Sequence, residues 1–133
     1  MANALHSSIK KPILDADVDF LVLTSKLSLC DTTDHAMNAA VDDFANDVEV
    51  AFEESATLGT LTTTAGAFDA ANGTWSAAAG DPCEYVELWF DEAGASSTDH
   101  LIAAYDTFAS GMPVTLNGGD VNFTVNASGF FSV

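Results

Sequence analysis

Glu84-Tyr85-Val86-Glu87-Leu88-Trp89-Phe90-Asp91 is the stretch on which the fold turns. In an extended chain successive side chains point to opposite faces, so Val86, Leu88 and Phe90 share one face and Tyr85, Glu87 and Trp89 the other. No other segment reads as a strand so clearly.

The same period of two recurs on both sides. Upstream, Val18–Leu29 (VDFLVLTSKLSL) sets Leu21, Leu23, Leu27 and Leu29 against Val18, Phe20 and Val22, which predicts a strand buried on both faces in its first half. Val48, Val50 and Phe52 alternate with Glu49, Ala51 and Glu53, the pattern of a half-exposed strand. Leu58–Thr64 is rich in β-prone Thr, and Asn72-Gly73 suits a tight turn between Phe68 and Trp75. Downstream, His100–Thr107 predicts a further strand, Ser110–Pro113 a turn, and Val121, Phe123 and Val125 another alternating run before the apolar end Phe130-Phe131-Ser132-Val133.

Helical signals are few. Met37, Val41, Phe44 and Val48 recur at helical spacing behind a Thr32 or Thr33 cap, with Asp34 in the first turn. Ala2–Lys11 reads as a short helix with Leu5 and Ile9 on one face, ended by Pro12, or as a flexible arm. A parallel sheet needs several crossover helices, and this chain offers one that is convincing. The fold class predicted is therefore mainly β: an antiparallel β-sandwich or partly open barrel with one short helix. Residues 1–17 form the N-terminal arm or short helix, and residues 18–133 a single β-rich domain.

Composition narrows the function. With 133 residues, 48% of them hydrophobic, the chain has the apolar surface to build a core and is no disordered acidic tail. Twenty acidic side chains face three lysines (Lys10, Lys11 and Lys26) and no arginine, a formal charge of −17. Affinity for phosphate comes from Lys and Arg, so neither nucleic acid nor an anionic membrane surface is an expected partner. Acid spread along the whole chain points to a saline setting, where screening relieves self-repulsion. The start lacks the apolar run of a secretion signal and no stretch is long and apolar enough for a membrane helix, so synthesis in a cytoplasm is expected.

Motifs for chemistry are sparse. Cys30 and Cys83 lack paired zinc spacing and read as free thiols. Asp15, Asp17 and Asp19 resemble the opening of a calcium loop, but Phe20 stands where Gly is needed and Lys26 where the bidentate Glu would be, so a solvated strand entry is expected instead. His35 beside Asp31 and Asp34 reads as polar capping, and His6 and His100 as surface residues. Neither a nucleophile elbow nor a phosphate-cradling loop occurs, so no enzyme, cofactor or metal is expected. Asn72, Asn122 and Asn126 open formal glycosylation triplets and read as turn and strand polar residues.

A set of segments in order carries a resemblance: Met1–Leu5, Phe20–Leu23, Gly66–Ala71, Tyr85–Asp91, Leu101–Thr107 and, most specific, Gly111-Met-Pro-Val-Thr-Leu-Asn-Gly-Gly-Asp-Val121. Together they are similar to a family of small tailed-phage virion proteins that begin MANAL. The resemblance implies a virion structural role on a β-sandwich-like fold and supplies no catalytic residues. It points to a capsid decoration or cement protein on the capsid surface, bound to the major capsid protein and to copies of itself, as in a trimer. The alternatives are a tail or head–tail connector protein and a glycan- or receptor-binding module using Tyr85 and Trp89. Leu5, Ile9, Tyr85, Trp89, Phe130, Phe131 and Val133 are the candidate interface residues.

Overall fold

A computed structural model describes residues 3–107 and 112–133. In chain order it runs β1 (Ala4–Leu5), α1 (Ser7–Leu14), β2 (Thr24–Cys30), α2 (Ala45–Val48) with a 3₁₀ turn at Glu49–Ala51, and β3 (Phe52–Thr57). Next come β4 (Thr62–Thr64), β5 (Ala67–Asp69), β6 (Gly73–Trp75), β7 (Tyr85–Asp91), β8 (Leu101–Tyr105), β9 (Val121–Phe123) and β10 (Phe131–Ser132). The main sheet has the order β1-β8-β7-β2-β3, all antiparallel; β10-β5-β4 and β6-β9 form two smaller antiparallel sheets. The fold is mainly β and sandwich-like, as predicted, with two short helices in place of one.

β7 sits at the middle of the main sheet, in register with β2 through Leu27↔Leu88 and Leu29↔Val86. Val86, Leu88 and Phe90 share a core with Phe68, Trp75 and Phe123 of the smaller sheets. Burying each such side chain contributes about 1.5–3 kcal/mol. The opposite face is covered too: Tyr85 packs with Cys30 and Ala51, and Trp89 with Ala45 and Val48. Both faces of β7 are thus dry, and Tyr85 and Trp89 are buried side chains, not the surface residues that a role as interface or glycan contacts requires.

Several expected elements differ. The strand predicted over Val18–Leu29 begins only at Thr24, because the Asp19 carboxylate accepts from the Leu21 amide and its carbonyl from Val22 and Leu23, closing a turn. Phe20 leaves that turn for the core, its ring centroid 5.0 Å from Phe68 and 5.2 Å from Phe90, while Leu21 and Val22 stay exposed. The helix predicted over residues 32–48 is confined to Ala45–Val48. Asp31 and Asp42 side chains take the backbone amides of Thr33 and Asn38, holding residues 31–42 out of helix, while Asp47 accepts from the Asp43 and Phe44 amides and so caps a helix that starts only at Ala45. Val48–Ala51, expected extended, is helical up to β3.

At the N-terminus Ala4–Leu5 is a strand, and the helix runs on through Pro12 to Leu14. Pro12 removes one amide only, and Asp15 still donates to the Lys11 carbonyl. The Asn72-Gly73 turn is absent. Gly73 instead opens β6, where a Cβ would lie 2.5 Å from the Phe123 ring, and Asn72 accepts from the Val125 amide. The hairpin turn is Ala65-Gly66, both at positive φ, joining β4 to β5. In the Ser110–Pro113 turn, Ser110 and Gly111 lie outside the described residues.

Candidate functional site

Glu87 is a carboxylate in the driest part of the sheet. It pairs with Ser28 on one side and Ala104 on the other, and its exposure is 0%. An ionised group there needs a partner, since burying an unpaired charge costs far more than one side chain's packing returns. The partner is His6, also 0% exposed, whose Nε2 lies 2.6 Å from Glu87 Oε1. Sequence reading placed His6 on the surface; the short β1 strand carries it instead across the sheet edge and over β7.

The chemistry of that contact follows from the other ring nitrogen. Nδ1 lies 2.7 Å from the Asp42 carbonyl, which can only accept, so Nδ1 carries a hydrogen. One further proton then sits between Nε2 and Oε1, either on the imidazolium or on the carboxyl. Burial pushes Glu87 up to about 7 against the pull of His6. Burial works against the His6 cation, yet the Glu87 hydrogen bond and charge leave it raised. Asp42 extends the network: its carboxylate accepts from His35 Nε2 at 3.0 Å and from the Asn38 amide at 2.6 Å. Glu87 Oε2 has no hydrogen-bond partner among the described residues. A clue lay in the sequence, for a Glu inside an alternating apolar run needs a buried donor if its strand is covered on both faces; which donor arrives is a tertiary fact.

His35 therefore faces Asp42 and not the Asp31 and Asp34 beside it in sequence. Those two converge with Glu53 and Asp81, all four carboxylates offering oxygens within 4.8 Å of one another. Among the described residues this is the group with a donor set suited to a hard cation. Asp15, Asp17 and Asp19 do not gather: Asp15 pairs with Lys11 and Asp19 holds its turn. His100 is half-buried, with Nδ1 2.8 Å from Glu92 Oε1 and its ring against Phe44.

The candidate interface residues scatter by burial. Ile9, Tyr85, Trp89 and Phe130 are buried in the folded chain, Leu5 and Phe131 half-buried, and Val133 is 74% exposed. Phe20 stacks edge-on against Phe131 at 5.6 Å, and Leu21, Val22 and Val133 are exposed. Phe130 and Phe131 also line an open groove of about 940 Å³ with Asn3, Tyr105, Thr107 and Asn126. Tyr85 and Trp89 are spent on internal bonds, Tyr85 Oη to the His35 carbonyl and Trp89 Nε1 to Ser28 Oγ, so neither offers a sugar platform.

Both cysteines are free and buried; desolvation pushes the Cys30 thiol well up and Cys83 up to about 12. In comparisons with known proteins, no family model matches the chain and no curated protein is significantly similar to it.

Proposed function

We propose that the chain is a decoration or cement protein of a tailed-virus capsid, binding the outer face of the major capsid shell and other copies of itself, and catalysing no reaction. The observation that carries this reading is the ordered similarity of its segments to small tailed-phage virion proteins, two of which, Tyr85–Asp91 and Leu101–Thr107, supply the adjacent central strands β7 and β8. The physical character of the molecule supports it. A sheet covered on both faces is stiff, and the exposed Leu21, Val22 and Val133 offer apolar contact points on an otherwise acidic body. A charge of −17 suits many copies crowded on an outer surface in salt.

The test is to add purified protein to capsid shells lacking it and to image them. Density at symmetry-related outer positions, with hundreds of copies per particle in a stained gel, is the expected result. A handful of copies, confined to the tail or its junction, would overturn it in favour of a tail or connector protein.

A further inference from the structure

The N-terminal segment is held from its middle. Its backbone contributes a two-residue strand on the outer edge of β8, continued by His6 N donating to Ile102 O and Ser7 N to Ala39 O. Asn3 Oδ1 accepts from the Asp106 and Thr107 amides, and Ile9 drops into the main core. Between these apolar and backbone contacts stands one charged one, the His6–Glu87 pair, sealed from solvent at the centre of the attachment.

We propose that the His6–Glu87 pair is a proton-held latch: when its shared proton leaves at alkaline pH, residues 3–14 undock from the outer edge of β8 while the rest of the sheet stays closed. The charge balance requires a response of this kind. With the proton present the pair is neutral overall; without it, a carboxylate stays buried beside a neutral imidazole and carries −1. The neighbours offer no relief. Tyr85 on β7, Cys30 on β2 and Tyr105 on β8 are neutral acids that burial pushes further up, and Asp42 adds negative field from the 31–44 loop. His35, the remaining nearby cation source, is engaged with Asp42. His6 and Glu87 are both fully buried against each other, and release of the β1 segment that carries His6 leaves β8 paired along β7.

Trypsin gives a direct readout. Of the three lysines, Lys11 precedes Pro12 and resists cleavage, Lys10 lies within the latched segment, and Lys26 lies inside β2. Cleavage after Lys10, normalised to a free peptide of the same sequence, should rise from about pH 7 to 9 by up to about tenfold per unit, the limit for loss of one proton. Cleavage after Lys26 should stay flat. In Glu87→Gln, loss of the His6 proton leaves no buried anion behind, and the rise should vanish. A flat Lys10 profile in the native chain, or Lys10 and Lys26 rising together, overturns the proposal. Should Glu87→Gln fail to fold, the His6 imidazole resonance of the native protein decides: its titration must share a midpoint with the loss of amide protection over residues 3–14, and separate midpoints refute the latch.

Discussion

The indole of Trp75 donates to the backbone carbonyl of Leu27 at 2.9 Å, so a side chain from the small β6-β9 sheet is hydrogen-bonded to a central strand of the large one. Trp75 also stacks on Phe123 with ring centroids 4.6 Å apart, at the place where Gly73 leaves room for that ring. One indole thus joins the two sheets by both a hydrogen bond and ring packing. Trp75→Phe should keep most of the packing and lose the hydrogen bond, costing about 1–2 kcal/mol, whereas Trp75→Ala should cost about 3–5 kcal/mol. Urea unfolding midpoints separate the two; equal losses would mean that the hydrogen bond, and not the ring, holds the layers.

Stability should fall as pH rises from mildly acidic to alkaline. Glu87 is pushed up to about 7 from an ordinary 4.5, and His6 is raised above 6.5, so the folded chain holds protons that the unfolded chain releases. Wherever the native state binds more protons, the unfolding free energy decreases with pH. The His6 contribution is complete below 6.5 and is lost as pH passes its folded value; the Glu87 preference for its protonated form erodes stability between 4.5 and about 7. At the acid end Asp47, held low by the Phe44 and Asp43 amides, works the other way, its contribution fading as pH drops below 3.8. Denaturant titrations from about pH 5 to 9 should show a steady decline that is shallower in Glu87→Gln; an increase with pH would refute the assignment.

What could be read in advance, and what could not, follows from range. Tyr85–Asp91 is legible in the sequence because period-two patterning is a local property, and Leu101–Tyr105 because a short apolar run lies between turn-forming segments. The split of Tyr85 and Trp89 from Val86, Leu88 and Phe90 is equally local and holds, but the burial of that second face is not legible, since it depends on residues 31–51 lying over it. The 32–48 helix is cut short for a local reason that counting apolar positions misses: Asp31 and Asp42 bond the Thr33 and Asn38 amides outside any helix, and Asp47 caps the chain as a helix only from Ala45. His6 failed for a distant one, being 81 residues from Glu87. Ala65-Gly66 makes the hairpin turn, and glycine is needed there because a Cβ would meet the Val133 carbonyl at 2.6 Å, a requirement set by the other end of the chain; Asn72 and Gly73 are instead engaged with the Val125 amide and the Phe123 ring.

Neither thiol should react in the native protein. Cys30 and Cys83 are buried, and burial raises both pKa values, so thiolate is scarce at neutral pH. A colorimetric thiol reagent at about pH 8 should label neither within the time that labels both in urea. Fast labelling of Cys83 in native buffer would show that its loop opens without global unfolding.

The exposed apolar residues should matter to assembly and not to folding. Leu21, Val22 and Val133 are 52%, 76% and 74% exposed, so replacing them with Ser removes little internal packing. The triple Ser variant should keep its unfolding midpoint within about 0.5 kcal/mol of the parent while its occupancy on capsid shells drops. Undiminished occupancy would move the contact surface elsewhere, with the groove at Phe130 and Phe131 the next to be altered.

Salt should stabilise the protein, and one site should show why. Twenty acidic side chains against three lysines make self-repulsion a general cost of folding at low ionic strength. It is sharpest where the Asp31, Asp34, Glu53 and Asp81 oxygens converge within 4.8 Å. Asp34 is exposed, so Asp34→Asn relieves repulsion without emptying a buried position. In about 10 mM monovalent salt, with a chelator present to remove divalent ions, this variant should be more stable than the parent by about 0.5–1 kcal/mol. Near 1 M salt the screening length falls to about 3 Å and the advantage should close, while the parent's own melting temperature climbs. A parent whose melting temperature ignores salt would refute the saline setting, and a variant less stable than the parent in chelator would show that Asp34 acts through bonds and not through charge.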